Sequence, residues 1–171
     1  MTHRTFIKLY PAHVLDPSEA YAYGVVDTTF GPALIVSKAG YLLALGFTDK
    51  LEDFSFRSWP KANWVEDNKM AAAFWRSINN DEPVKAVLFG TEFQQSVWQA
   101  LLDLHEKEVV TYKELAHRVG RPTAFRAVAN AVGANPIAML IPCHLVIGSD
   151  GDLHGYRWGV NKKKALLGWG V

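Results

Sequence analysis

The patterning of this chain changes abruptly at "GTEF", residues 90–93, and that change limits the folds open to it. Before it, "YGVVDTTFGPALIVSKAGYLLALGF" carries short apolar runs broken by the turn-like "TTFGP" and "SKAG". Such spacing predicts a β-meander near 22–29, 32–38 and 41–48. "DNKMAAAFWRSINN" reads as a helix ending near Asn79-Asn80, and "PVKAVLF" as a further strand. The polar, aromatic "TDKLEDFSFRSWPKANWVEDN" between them has no clear period. After "GTEF" the signals are helical. Thr91 with Gln94 has capping-box spacing before "FQQSVWQALLDL", where Phe93, Val97, Leu101 and Leu104 share one face. Thr111 with Glu114 repeats the device before "YKELAHRVG", which Gly120 can end. "RPTAFRAVANAVGANP" restarts helix with Pro122 in its first turn, and Asn135-Pro136 stops it. The boundary predicts two domains: an α/β unit at 1–87 and a mainly helical unit at 88–171. Two short helices joined by a Gly-containing turn fit a helix-turn-helix pattern, which non-binding bundles also contain.

Composition narrows the function classes. An apolar fraction of 49% in 171 residues supplies a packed core. No apolar run approaches the ~18 residues of a membrane span, and "MTHRTFIKLYPAHVLDP" lacks the layout of a secretory signal, so a cytoplasmic protein with no membrane partner is expected. A single cysteine excludes an internal disulfide and a zinc site built on cysteines; no metal is expected. Net charge is only +1, but it is unevenly spread. Residues 1–87 hold nine Lys/Arg against ten Asp/Glu, and residues 88–171 hold nine against seven. Residues 115–149 carry Arg118, Arg121 and Arg126 and no acid, a local field that can attract phosphate.

The one cysteine, Cys143, lies in "IPCHLVIGSDG". A lone cysteine is commonly a small core residue. Here Pro142 fixes the backbone before it, His144 offers a base beside it, and Asn135-Pro136 can brace a turn upstream. Adjacent strand residues point to opposite faces, so direct Cys–His contact requires a bend or a bridging water. A Gly-rich loop with an aromatic tip, "GSDGDLHGYRWG", follows and can wall a pocket. A cysteine protease needs an oxyanion hole, and no feature marks one. The third helix is rich in small residues, which suits either tight packing or close approach to a partner. His3, His13, His105, His117 and His154 read as surface or structural.

The ordered set "GTEFQQSVWQAL…TYKELAHRVGRPTAFRAVANAVGANPIAMLIPCH…VIGSDGDLHGYRWGVNKKKALL" resembles the O6-alkylguanine-DNA alkyltransferases, or methylated-DNA–protein-cysteine methyltransferases. The resemblance covers residues 88–168 nearly without gaps. It implies an RNase H-like N-terminal domain and a winged helix-turn-helix C-terminal domain. It implies DNA repair by a monomer acting on duplex DNA through the minor groove. The alkyl group of an O6-alkylguanine would pass irreversibly to Cys143, in one turnover and without a cofactor. By the same resemblance Tyr112, Asn135 and His144 join Cys143 in catalysis. Arg126 becomes the finger that fills the gap left by a flipped nucleotide, with Arg121, Thr123, Ala127 and Ala129 also on DNA. Tyr156, Arg157, Trp158 and Val146 line the substrate pocket, where the bulk of Trp158 should disfavour large alkyl groups.

The chain departs from the family pattern at two places. Leu145 stands where the family has arginine after "PCH", and the family's late glutamate, which orients the histidine, falls on Gly170. Two alternatives therefore stay open: a lesion-binding or regulatory DNA-binding protein with weak or no transfer, and a plain winged-helix transcription factor.

Overall fold

The computed structural model describes residues 7–54, 63–153 and 155–168. The chain divides into two compact units, Met1–Phe89 with Pro136–Ala138, and Gly90–Asn135 with Met139–Val171.

The first unit is built on a six-stranded mixed sheet. Its strands are β1 (Ile7–Tyr10), β2 (Tyr21–Thr28), β3 (Gly31–Lys38), β4 (Tyr41–Gly46), β5 (Trp64–Glu66) and β6 (Val84–Val87), in the order β1-β6-β4-β3-β2-β5. β2, β3 and β4 form the antiparallel meander expected from the sequence. The β3–β4 connection is the two-residue turn Ala39-Gly40, with φ of 52° and 79°. Positive φ at both central residues matches the right-handed twist of the flanking strands. β1 and β6 pair in parallel, as do β2 and β5. The centre of the sheet is its driest part: Ala33–Val36 and Leu42–Leu45 are all buried. Helix α1 (Asn68–Asn79) packs on β2 and starts where the Asp67 carboxylate accepts from the Met70 N–H. Pro136–Ala138 joins this unit through Leu45, whose N–H donates to the Pro136 carbonyl and whose carbonyl accepts from Ala138, both at 2.9 Å.

The second unit is helical. Its helices are α2 (Glu92–Leu102), α3 (Tyr112–Arg118), α4 (Phe125–Gly133) and α5 (Val160–Leu167). Both sequence-expected capping boxes are present. Thr91 and Gln94 exchange side-chain and backbone bonds at the start of α2, and Thr111 and Glu114 do so at α3. Val97, Trp98, Leu101, Leu104, Leu115, Val128, Ala131 and Val132 are buried between α2, α3 and α4. The Trp98 indole N–H donates to the Ala131 carbonyl at 2.8 Å inside this core. Phe93, expected on the buried face, is only half-buried, because it lies in the first turn of α2.

One helix start differs from expectation. Pro122 is not in the first turn of α4, which begins three residues later at Phe125. Gly120, at φ 71°, closes α3: its N–H bonds the His117 carbonyl, and the Arg121 N–H bonds the Ala116 carbonyl. This double C-cap leads straight into a second turn, in which Ala124 N–H donates to Arg121 carbonyl at 2.9 Å. Pro122 occupies the second position of that turn, where its fixed φ is favoured. Among the described residues, no helix is long and apolar enough to cross a membrane.

Candidate active site

The site lies within the helical unit, and short backbone features assemble it. After buried Asn135, the chain reaches Cys143–Leu145, one turn of 3-10 helix rather than extended strand. The extended geometry that would send Cys143 and His144 to opposite faces is thus absent. Cys143 N–H donates to Ile141 carbonyl at 2.7 Å, and Leu145 N–H to Pro142 carbonyl at 3.1 Å. The Asn135 side-chain amide donates to the Ile141 carbonyl at 2.8 Å, which ties the end of α4 to the approach to Cys143.

Immediately after the turn, β8 (Val146–Ile147) pairs in parallel with β7 (Val110–Thr111). Thr111 is also the cap of α3, so the same pairing brings Tyr112, the first residue of α3, to the cysteine turn. From the C-terminal side comes the "GYRWG" loop. Its Gly159, at φ 98°, leads into α5, which packs on the cysteine turn.

These elements wall one cavity of about 50 Å³. Tyr112, Ala129, Val132, Gly133, Asn135 and Cys143 form one side. Gly155, Tyr156, Arg157, Trp158 and Lys163 form the other. The Cys143 sulfur lies 4.0 Å from the Tyr156 hydroxyl. The Arg157 guanidinium sits 4.7 Å over the Trp158 ring, which is buried.

Of the residues expected in a site, the structure gathers Cys143, Tyr112, Asn135, Ala129, Tyr156, Arg157 and Trp158 around this cavity. His144 and Val146 are buried, but neither lines it. Arg121, Thr123, Arg126 and Ala127 are exposed at or just before the start of α4. Leu145 is buried, so its side chain packs inward rather than facing a phosphate. Gly170, His3 and His154 lie outside the described residues. His13, His105 and His117 are exposed. Among the described residues, no three His, Cys, Asp or Glu side chains converge as a metal site would need.

Sequence reasoning missed Val132, Gly133, Gly155 and Lys163 among the lining residues, and of these Lys163 alone carries a charge. It is 1% exposed, and its ammonium donates to the Val146 carbonyl at 2.6 Å. In "NKKKALL" it reads as one of a solvated run. Spacing was the available signal, because Lys163 shares a helix face with Leu166 and Leu167 at i+3 and i+4.

The electrostatics follow from burial. Loss of hydration pushes the Cys143 thiol above its ordinary range, while hydrogen bonds from Asn135 and Tyr156 and the Lys163 charge pull it back down. Burial, and then the charge of Cys143, push the Tyr112 phenol up. Tyr156 moves the same way for the same causes. Burial pulls Lys163 down, against the opposing effect of Cys143. The arrangement is a shielded sulfur nucleophile beside two phenols that hold their protons. Such a set suits transfer of a small electrophilic group to sulfur.

Residues 92–169 match the family described as 6-O-methylguanine DNA methyltransferase, DNA binding domain. A methylated-DNA–protein-cysteine methyltransferase of Methanosarcina barkeri is 37% identical over 152 residues, covering 85% of this chain and 94% of that one. The regulatory protein ada of Salmonella typhimurium is 59% identical over 78 residues, but that match spans 46% of this chain and only 22% of the relative. Among solved structures, Mycobacterium tuberculosis OGT in complex with DNA superposes with a TM-score of 0.72 at 35% identity, covering 86% of this chain and 91% of that one.

Proposed function

The chain belongs to the methylated-DNA–protein-cysteine methyltransferase family, and we propose that it repairs O6-alkylguanine in duplex DNA by taking the alkyl group onto Cys143, once per molecule. The observation that carries this reading is the cavity in which Cys143, Tyr112 and Asn135 meet the Trp158 loop.

The chemistry is an in-line displacement. The Cys143 sulfur attacks the alkyl carbon, an S–C bond forms, and the C–O6 bond breaks with its electron pair left on the base. The proton lost by the thiol is balanced by one gained by the departing guanine, so no co-reactant is consumed. Tyr112 holds its proton more tightly than a free phenol, which supports a role as hydrogen-bond donor to the leaving base. Asn135 both braces the turn and bonds the sulfur. His144, through a water, is the base that accepts the thiol proton. The thioether product has no easy leaving route, so the protein is consumed.

DNA is the partner, through the helical unit. The α3–Gly120–α4 arrangement supports a helix-turn-helix within a winged fold, as the six-stranded sheet with α1 supports an RNase H-like N-terminal domain. Ala127, Ala129 and Gly133 leave α4 slim enough to approach a minor groove about 6 Å wide, with Arg126 as its extrahelical finger. The protein acts as a cytoplasmic monomer.

One observation favours a second reading. Burial disfavours the Cys143 thiolate, which would suit a lesion binder with little transfer. Incubation with duplex DNA holding one O6-methylguanine, followed by intact-mass measurement, separates the two. A stable gain of one methylene, absent in Cys143→Ala, supports repair. Lesion-selective binding without mass gain supports the binder.

A further inference from the structure

On α4 the residues Val128, Ala131 and Val132 are buried, whereas Arg126, Ala127, Asn130 and Gly133 are exposed. Along the edge of the exposed face runs the row Phe125, Ala129, Gly133, at i, i+4 and i+8. Ala129 and Gly133 wall the Cys143 cavity. Phe125 heads the same row one turn earlier and is 38% exposed, the one large apolar side chain on this surface of α4 among the described residues. Arg126 is its chain neighbour, and the Lys113 ammonium lies 5.9 Å from its ring centroid. A partly exposed apolar ring beside a lysine ammonium fits a nucleic-acid groove, where phosphates meet the cation and base edges meet the ring.

We propose that Phe125 is an apolar wedge that packs into the base step next to the extruded guanine, so that it and Arg126 open the stack together. Spacing places the wedge. One helical turn, about 5.4 Å, separates Phe125 from Ala129 at the cavity wall. Steps in a base stack are about 3.4 Å apart. With α4 laid along the groove, that offset exceeds one step, and the ring meets the neighbouring step rather than the extruded nucleotide itself. Apolar side chains that enter the minor groove partly unstack such steps and bend the duplex, a cost repaid by extra contact. The occupant is duplex DNA, which the acid-free stretch 115–149 favours by charge. The inference rests on the repair reading above.

The test compares wild type, Phe125→Ala and Phe125→Leu in single-turnover reaction with O6-methylguanine in duplex DNA and as the free base. 2-Aminopurine beside the lesion reports unstacking. The expected result is a duplex rate that falls about tenfold more than the free-base rate in Phe125→Ala, with most of the 2-aminopurine signal lost. Phe125→Leu should keep an intermediate value. A wild-type duplex rate in Phe125→Ala, or equal losses on both substrates, overturns the wedge. Failure of the wild type to react with either substrate overturns the repair reading instead.

Discussion

The Lys163 ammonium donates a 2.6 Å hydrogen bond to the Val146 carbonyl, and both residues are buried. Val146 directly follows the cysteine turn, so this bond pins the backbone leaving Cys143 while it brings a cation toward the sulfur. Lys163→Met should act on both functions. Stability should fall by about 1–3 kcal/mol, because a buried carbonyl loses its donor. Alkylation of Cys143 by a small reagent should slow at neutral pH, with its pH profile displaced upward. A stability loss with an unmoved profile would leave Lys163 a purely structural residue.

The sulfur itself sets the pH dependence. Burial holds the Cys143 thiol above its ordinary range, and the thiolate is the nucleophile. The transfer rate should therefore climb with pH and keep climbing past ~8.5, the value of a free cysteine. Asn135→Ala removes a bond that favours the thiolate, so its profile should lie at still higher pH. The same shift has a stability consequence. A thiol that binds its proton more tightly when folded stabilises the fold below the unfolded thiol's pKa, and that contribution fades as pH rises through the folded value. Rates are thus read only where the near-ultraviolet circular dichroism is unchanged. A profile that levels off near neutrality would mean that the base, His144, and not the thiol sets the pH dependence.

These features were legible in the sequence to different depths. Thr91 with Gln94 and Thr111 with Glu114 announced two helix starts, because a capping box is a local device whose partners lie three residues apart. The meander was legible for the same reason. β1 and β5 were not, since each joins the sheet by parallel pairing with a distant strand, and short edge strands carry little period of their own. Pro122 misled because a proline favours a helix start and the second position of a turn alike. The gathering of Tyr112 with Cys143 depends on a two-residue pairing between β7 and β8, too short to leave a pattern. Lys163 was hidden by its neighbours, Lys162 and Lys164, which disguise one inward-facing position as a charged run.

Trp158 should limit the size of the alkyl group. It is 9% exposed and walls a small cavity. Trp158→Ala should raise the rate with O6-benzylguanine relative to O6-methylguanine by about tenfold, at a stability cost of up to about 3–5 kcal/mol for a large-to-small change at a buried site. The paired rates, with a melting temperature, check this. An unchanged ratio would mean that the far wall, formed by Tyr112 and Val132, sets the size limit.

Arg126 offers the sharpest separation between contacting DNA and opening it. It is the second residue of α4 and is exposed, so its side chain is available to the duplex. A phosphate contact and an intercalated finger predict different losses in Arg126→Ala. Loss of one phosphate contact weakens binding to every sequence and reduces the salt slope by about one. Loss of a finger leaves that slope nearly intact but removes the group that fills the vacated stack, so base extrusion becomes costlier by up to a few kcal/mol. Repair of lesion-bearing duplex should then drop tenfold or more, by about the same reasoning, while reaction with the free base drops far less. Binding measured across a salt series, together with the two single-turnover rates, discriminates between them. Equal loss on duplex and free base, or a slope reduced by one with little kinetic change, would remove Arg126 from the extrusion step and leave it a simple phosphate ligand.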